Sequence, residues 1–357
     1  VFRHGRDNKI YVWQLRVGQD EEQFSTLLPI EDLTTERKQP WLLYSLDVNA
    51  LNFCSFAICS DLDVNSNNIQ ADIISSFSPD RLLIATPGLE DGHINITRLP
   101  DCSRFATIPT PKGTKTGMVM ALGLCSRTAT SNTSSPSSKT LFVAAGYESG
   151  HTGLWQQSSR PTAHQQAAFQ LIYVHQSHTQ PVLSLCLDPA HETLYTSSAD
   201  ALIVRHCFGG AKVSSSTPSS SQQVQVETES LQTRHAGQQS LTMRSDGKIF
   251  ATAGWDGRAR VYTAGKNSAA GADAGNGADI REVAVLKWHQ EGCYAVGFAH
   301  IRNQEQASTE STALISQPSE GDGRMLTAAE RRDAAARNAH WLAVGSKDGK
   351  VSLWDIF

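Results

Sequence analysis

Apolar runs of five or six residues recur along the chain, each ending in a small polar turn and followed by a second apolar run. The clearest case is the last. Trp341 to Ser346 is apolar and small, Lys347-Asp348-Gly349 is polar, and Val351 to Trp354 alternates again. Runs of this length around Asp-Gly predict a β-hairpin, with a type I′ turn expected because Asp-Gly tolerates positive φ at both central positions. The same frame recurs upstream. Ile249 to Gly254 leads to Asp256-Gly257, Leu194 to Ser198 to Asp200, Leu141 to Tyr147 to Ser149-Gly150, and Leu82 to Pro87 to Asp91-Gly92. Near the start, His4-Gly5 leads to Asp7-Asn8. Six residues after each turn residue stands an aromatic or its substitute: Trp13, Thr97, Trp155, His206, Tyr262 and Trp354.

A second signal precedes three of these hairpins. His178 lies 22 residues before Asp200, His235 lies 21 before Asp256, and His289 lies 59 before Asp348. A His well ahead of a turn Asp, with an aromatic six residues beyond it, is the pattern of WD repeats. Each repeat builds a four-stranded propeller blade. The fold class expected is therefore all-β, a WD40-type β-propeller. Residues 1 to 357 are read as a single domain.

The spacing carries a chemical expectation. The His opens a blade, the Asp sits between its second and third strands, and the carboxylate accepts from the imidazole. A hydroxyl on the second strand, Thr196 or Thr252, and the aromatic extend the network. Buried polar groups need partners, so such a network is structural. The blade of His235, Thr252, Asp256 and Tyr262 reads as the fullest. The blade of His289, Asp348 and Trp354 has Val344 at the hydroxyl position.

Successive turn residues are 51 to 92 apart, against about 40–45 for a plain repeat. Every interval therefore carries an insertion. Low-complexity stretches at about 126 to 139, 209 to 223, 264 to 279 and 301 to 339 fit that role, as loops too polar to order themselves. Within the last, Met325 to Asn338 is compatible with a short helix.

Composition narrows the class. Charged residues are 18% and hydrophobic residues 39%, with net charge −4. No stretch approaches the roughly 18 uninterrupted apolar residues of a membrane span. Basic clusters are short, around Arg37-Lys38 and Arg331-Arg332, which argues against direct nucleic-acid binding. The seven cysteines form no Cys-x-x-Cys pair, which points to reduced thiols and to no zinc site. No cofactor or metal is implied. Twelve histidines allow a triad to be imagined, but the best His, Thr and Asp sets belong to the repeat. No phosphate loop, Gly-x-Ser-x-Gly elbow or His-Glu-x-x-His motif is present, so an enzyme is not expected.

Residues between the repeats are more distinctive. They include Pro40 to Cys54, Lys115 to Met120, Gly146 to Trp155, His235 to Thr242, Ala253 to Tyr262 and Leu286 to Val296. Together these segments resemble the fungal ASTRA-associated protein 1 family, across nearly all of the chain outside the low-complexity insertions. The resemblance implies a nuclear, non-catalytic scaffold subunit of the ASTRA complex, a chromatin-remodelling assembly. The partners it implies are RuvB-like AAA+ ATPases, a phosphatidylinositol-3-kinase-related pseudokinase, and co-chaperones that mature such kinases. It also implies a seven-bladed propeller, with one blade and part of the next lying before the His4-Gly-Arg-Asp-Asn motif. The alternative is a WD-repeat adaptor in another pathway, as a G-protein β-like protein or a ubiquitin-ligase receptor.

Residues just before the turn positions are expected to project to one face. Arg6, Glu90, Glu148, Ala199, Trp255 and Lys347 occupy these places. A Trp among cations is hot-spot composition, so Trp255, Arg6 and Lys347 are candidate partner anchors. The competing reading is that Trp255 packs on its neighbouring blade.

Overall fold

The computed structural model describes residues 1–5, 7–15, 40–49, 54–61, 81–128, 139–159, 162, 165–208, 226–265, 280–299 and 339–356. These residues carry 22 strands, all in antiparallel sheets. They fall into two compact units. The first comprises residues 1–148 and 153–171, and the second 149–152 and 172–357.

Six sheets follow one another along the chain, and each is a meander in sequence order. Blade 1 is β1 (Phe2–His4), β2 (Lys9–Gln14) and β3 (Trp41–Asp47). Blade 2 is β4 (Ala57–Ser60), β5 (Leu82–Pro87), β6 (Ile94–Leu99) and β7 (Ser103–Ile108). Blade 3 is β8 (Val119–Thr128), β9 (Lys139–Tyr147), β10 (His151–Ser159) and β11 (Ala168–Gln176). Blade 4 is β12 (Val182–Leu187), β13 (Thr193–Ser198), β14 (Leu202–Cys207) and β15 (Glu227–Gln232). Blade 5 is β16 (Gln238–Met243), β17 (Ile249–Gly254), β18 (Arg258–Thr263) and β19 (Glu282–Lys287). Blade 6 is β20 (Cys293–Phe298), β21 (Trp341–Ser346) and β22 (Val351–Asp355).

Each repeated hairpin of the sequence is a real hairpin, but its turn differs from the expected type I′. Only one loop residue has positive φ, the residue after the turn position: Asn8, Gly92, Gly150, Ala201, Gly257 and Gly349, with φ between 62° and 80°. In blade 6, Gly349 N–H donates to Ser346 C=O at 3.1 Å and Ser346 N–H to Lys350 C=O at 3.0 Å. This is a three-residue loop with a single left-handed residue, where Gly is favoured for lack of a Cβ. Ala201 occupies that conformation without being Gly.

Two irregularities recur at equivalent positions. The first strand slips in register between Val119 and Ala121, Val182 and Ser184, Gln238 and Ser240, and Cys293 and Ala295. A second slip falls at the aromatic position or its substitute in three blades, at Trp13, Thr97 and Tyr262. Bulges raise local twist, and these re-aim the side chains on either side of them.

Middle strands carry the core because they are covered on both faces. Every residue of β5 and of β13 is buried. Within the first unit, Leu83, Ile94, Ile96, Phe105, Val143, Tyr147 and Trp155 form one cluster. Within the second, Tyr195, Ile203, Phe250 and Tyr262 form another, and Ala251, Val261, Leu342 and Val344 a third. Phe250 and Tyr262 stack with ring centroids 5.1 Å apart.

The insertion boundaries need adjusting. β8 continues to Thr128 and β9 begins at Lys139, so strand occupies both ends of the 126 to 139 stretch. Residues 264 and 265 are described as well, and Ala264 is buried. The 209 to 223 insertion, residues 301–338 of the last one, and the helix expected at Met325 to Asn338 lie outside the described residues. In the first repeat unit, Phe2–His4 is the strand that pairs with β2 across the Asp7 turn. None of the seven cysteines is in a disulfide.

Candidate functional site

The polar sites of this chain are the hairpins themselves, and in each the register decides the wiring. In four of them the residue four before the turn Asp faces the residue four after it, directly across the second and third strands: Arg3 with Tyr11, Thr196 with Val204, Thr252 with Arg260, Val344 with Ser352. In blade 2 the frame is offset, and Pro87 faces Ile94. Directly opposed residues share one face of a sheet, so the two members of each pair reach the same place.

Blade 4 holds the complete network. His178 Nδ1 lies 3.1 and 3.2 Å from the two carboxylate oxygens of Asp200. Its Nε2 lies 2.9 Å from Thr196 Oγ1, and that oxygen lies 3.0 Å from His206 Nε2. His206 Nδ1 lies 3.0 Å from the Tyr173 hydroxyl. One assignment of hydrogens satisfies every link. His178 donates from Nδ1 to Asp200, and Thr196 donates to the bare His178 Nε2. His206 donates from Nε2 to Thr196, and Tyr173 donates to the bare His206 Nδ1. Both imidazoles are neutral in this arrangement. Burial pushes the His206 pKa down to about 3, helped by the nearby His178 and His175. Burial also lowers the His178 pKa, although the Asp200 carboxylate works against it. The Asp200 carboxylate further accepts from the backbone N–H of Thr179 at 2.9 Å and of Leu202 at 3.1 Å.

Blade 5, which the sequence presents as the fullest, is wired differently. Arg260 takes the carboxylate, with its two terminal nitrogens 3.2 and 2.5 Å from Asp256. The His235 ring is left 4.0 Å from Asp256 and a third exposed. Thr252 Oγ1 donates to Gln238 Oε1 at 2.6 Å, and Gln238 Nε2 donates to the His235 carbonyl at 3.0 Å. The physical reason is reach and geometry. A guanidinium on the facing strand meets the carboxylate with a two-pronged fork, which a single imidazole N–H cannot match. Burial alone would raise the Asp256 carboxyl, but the Arg260 bond and charge hold it below its ordinary range. Arg260 is itself buried, and Glu282 lies 3.5 Å from its Nε. Tyr262 contributes a packed ring.

Blade 6 departs again. His289 Nε2 lies 2.9 Å from Ser352 Oγ, and Trp354 Nε1 donates to the same oxygen at 2.8 Å. Asp348 instead accepts from the Lys350 backbone N–H at 3.1 Å and lies 3.5 Å from its ammonium. In blade 1, the Tyr11 hydroxyl bonds Asp7, and Trp13 packs 6.2 Å from Tyr11. Asp91 is exposed, and its carbonyl accepts from Thr110 at 2.8 Å. Trp155 is buried against Tyr147, and Ser149, in the Asp position, bonds His151 at 2.8 Å.

Thus the structure brings His178, Thr196 and Asp200 together and separates His235 from Thr252 and His289 from Asp348. Sequence reasoning missed Tyr173, Gln238, Arg260 and Ser352 as network members. The signal for two of them was present, since Arg260 and Ser352 stand four residues after a turn Asp.

The expected partner-face residues are distributed as follows. Trp255 is 45% exposed. Its indole lies flat on Gly237, where a methyl group would stand 2.2 Å from two ring atoms, and its Nε1 donates to Gln239 at 2.9 Å. Its ring is seated on Gly237 at the start of its own blade, and its backbone lies against Gly292 at the start of blade 6. Lys347 and Glu90 are exposed. Glu148 is exposed too and accepts from the Met118 backbone N–H at 3.2 Å. Arg6 lies outside the described residues. Among the described residues, no group of three or more His, Cys, Asp or Glu side chains is placed to hold a metal ion, and no helix is long and apolar enough to cross a membrane.

Hairpins of this register, with a turn Asp, a leading His and a buried hydroxyl between them, define a WD-repeat protein. The WD domain, G-beta repeat family matches at residues 169–204, 228–263 and 334–355, within or overlapping blades 3 to 6. The chain is similar along its whole length to three fungal proteins named ASTRA-associated protein 1. It is 36% identical to that of Penicillium rubens, covering 82% of it, and 38% identical to that of Aspergillus niger, covering 81%. It is also 38% identical to that of Verticillium alfalfae, covering 77%. The chain belongs to the ASTRA-associated protein 1 family.

Proposed function

We propose that this protein is a non-catalytic WD-repeat subunit of the ASTRA complex, acting as a scaffold on which other subunits assemble. The observation that carries the reading is similarity at 36–38% identity over all of the chain to relatives bearing that name. The buried chemistry agrees with it. The His, Thr and Asp side chains that imitate a catalytic set hold one blade together, and Thr196 has no solvent exposure. In this reading the protein works in the nucleus, in chromatin remodelling and in the maturation of phosphatidylinositol-3-kinase-related kinases. Its partners are RuvB-like AAA+ ATPases, kinase co-chaperones and the pseudokinase, and the whole propeller has seven blades.

The test is purification of the tagged full-length protein from its source cell at moderate salt, with identification of what accompanies it. Recovery of the AAA+ ATPases with the kinase co-chaperones is expected. Recovery of a ubiquitin-ligase or G-protein set in their place would overturn the assignment while leaving the fold untouched.

A further inference from the structure

Blades 5 and 6 carry three aromatic side chains that the core does not use. Trp255, Trp288 and Tyr294 are 45%, 54% and 46% exposed, whereas Tyr195, Phe250 and Tyr262 in the same unit are 2% or less. They belong to one neighbourhood. A methyl group on Gly292 would stand 3.1 Å from the Tyr294 ring and 3.3 Å from Trp255 Cα. The Gly292 carbonyl accepts from the Lys347 backbone N–H at 2.9 Å. The Lys350 ammonium lies 6.0 Å from the centre of the Trp288 ring, within cation–π range.

The patch is preorganised. Trp255 is fixed from below by Gly237 and at its edge by Gln239. Trp288 meets His289 edge-on at 4.8 Å. A rigid aromatic loses little entropy on contact, which makes it an effective anchor.

Charge selects the occupant. Arg234, Arg258, Lys287, Lys347 and Lys350 lie in the loops and strand ends on this side of blades 5 and 6. The carboxylates there are Asp256, Glu291 and Asp348; Asp256 is already neutralised by Arg260, and Asp348 lies 3.5 Å from the Lys350 ammonium, which leaves Arg234, Arg258, Lys287 and Lys347 against Glu291. The side is positive on a chain whose net charge is −4. We infer that this surface docks an acidic, extended segment of a partner protein, with an apolar side chain between Trp255 and Tyr294 and carboxylates on Lys347 and Lys350. The inference rests on the scaffold reading and supplies the chemistry of one partner.

The experiment places a photo-crosslinking amino acid at exposed Gln290 in the tagged full-length protein, and maps the crosslinked segment by mass spectrometry. The expected result is an identified acidic stretch bearing an apolar residue. Crosslinking should fall about tenfold in the Lys347→Glu/Lys350→Glu double variant and in Trp255→Ala, as for central anchors and steering charges. Lys248→Glu, a charge reversal at the far end of blade 5, should leave it unchanged. Crosslinks to nucleic acid, to a neutral or basic surface, or to nothing would overturn the inference, as would crosslinks insensitive to the double variant. The two readings separate cleanly. An acidic segment from a protein outside the ASTRA complex would sink the proposed function alone. ASTRA subunits co-purifying without an acidic crosslink would sink this inference alone.

Discussion

Val344 and Ser352 face each other across β21 and β22 with the hydroxyl on the opposite side from blade 4, where Thr196 faces Val204. The polar and apolar members of the pair have changed strands, and the hydroxyl still lands where His289 and Trp354 can use it. Ser352→Ala would strip both rings of that partner, and His289 Nδ1 already has none. We expect a loss of about 1–3 kcal/mol, the cost of leaving buried polar groups unpaired. Val344→Thr added to Ser352→Ala should return part of it by restoring the hydroxyl from the other strand. Urea unfolding of the two variants measures this, and strictly additive losses would refute the exchange.

Blade 5 predicts an inversion of the usual importance of the WD histidine. His235→Ala should change stability by less than about 0.5 kcal/mol, since a part-exposed ring with no close partner contributes little. Asp256→Ala takes the two-pronged partner from the buried Arg260 guanidinium and leaves it Glu282 at 3.5 Å. The expected cost is about 2–3 kcal/mol, below that of a fully buried pair because Asp256 is partly open to solvent. In blade 4 the order reverses, and His178→Ala should be severe. Equal effects of His178→Ala and His235→Ala would contradict the two wirings.

The histidines of blade 4 fix a pH dependence. Both His178 and His206 have folded pKa values below the ordinary 6.5, that of His206 near 3. Between the two limits the unfolded chain binds a proton that the folded chain refuses. Their contribution is therefore complete above pH 6.5 and is lost as pH falls toward 3. For one such group the slope is about 1.4 kcal/mol per pH unit. His206→Phe should start less stable, having lost two hydrogen bonds, and show a shallower fall between pH 6.5 and 5. Denaturation midpoints at pH 7, 6 and 5 test it, and parallel curves for the two proteins would count against a neutral His206.

Gly237 has φ near +74° and lies beneath the Trp255 indole. Gly237→Ala meets both obstacles, the left-handed backbone and the ring. Stability should drop by about 1–3 kcal/mol, and Trp255 should lose its fixed seat. A change in fluorescence relative to a Trp255→Ala background would reveal the displacement. An unaltered spectrum and midpoint would show the contact to be dispensable.

The hairpin frame was readable because it is local: apolar run, turn residue, apolar run. Each of the six turn residues sits in a turn joining two strands. The wiring was less readable because it depends on what faces what. His235, Thr252 and Asp256 satisfy the spacing of the repeat, yet Arg260 occupies the carboxylate because register sets it opposite Thr252. Reading Asp plus four alongside Asp minus four would have separated blade 5 from blade 4. Gln238 and Tyr173 carry no comparable mark, since each reaches its partner from another strand or loop. The turn type was misjudged for a simpler reason. Asp-Gly allows two left-handed residues, but a three-residue loop uses one.

The chain from Tyr173 through His206, Thr196 and His178 to Asp200 has each linking hydrogen assigned in one direction. Proton conduction along such a chain requires a vacancy, and here none opens without ionising Tyr173 or protonating an imidazole. Blade 4 therefore behaves as an insulator: its dipoles are aligned, with their positive ends toward the Asp200 carboxylate. They offset the carboxylate's charge from within the blade, through neutral groups.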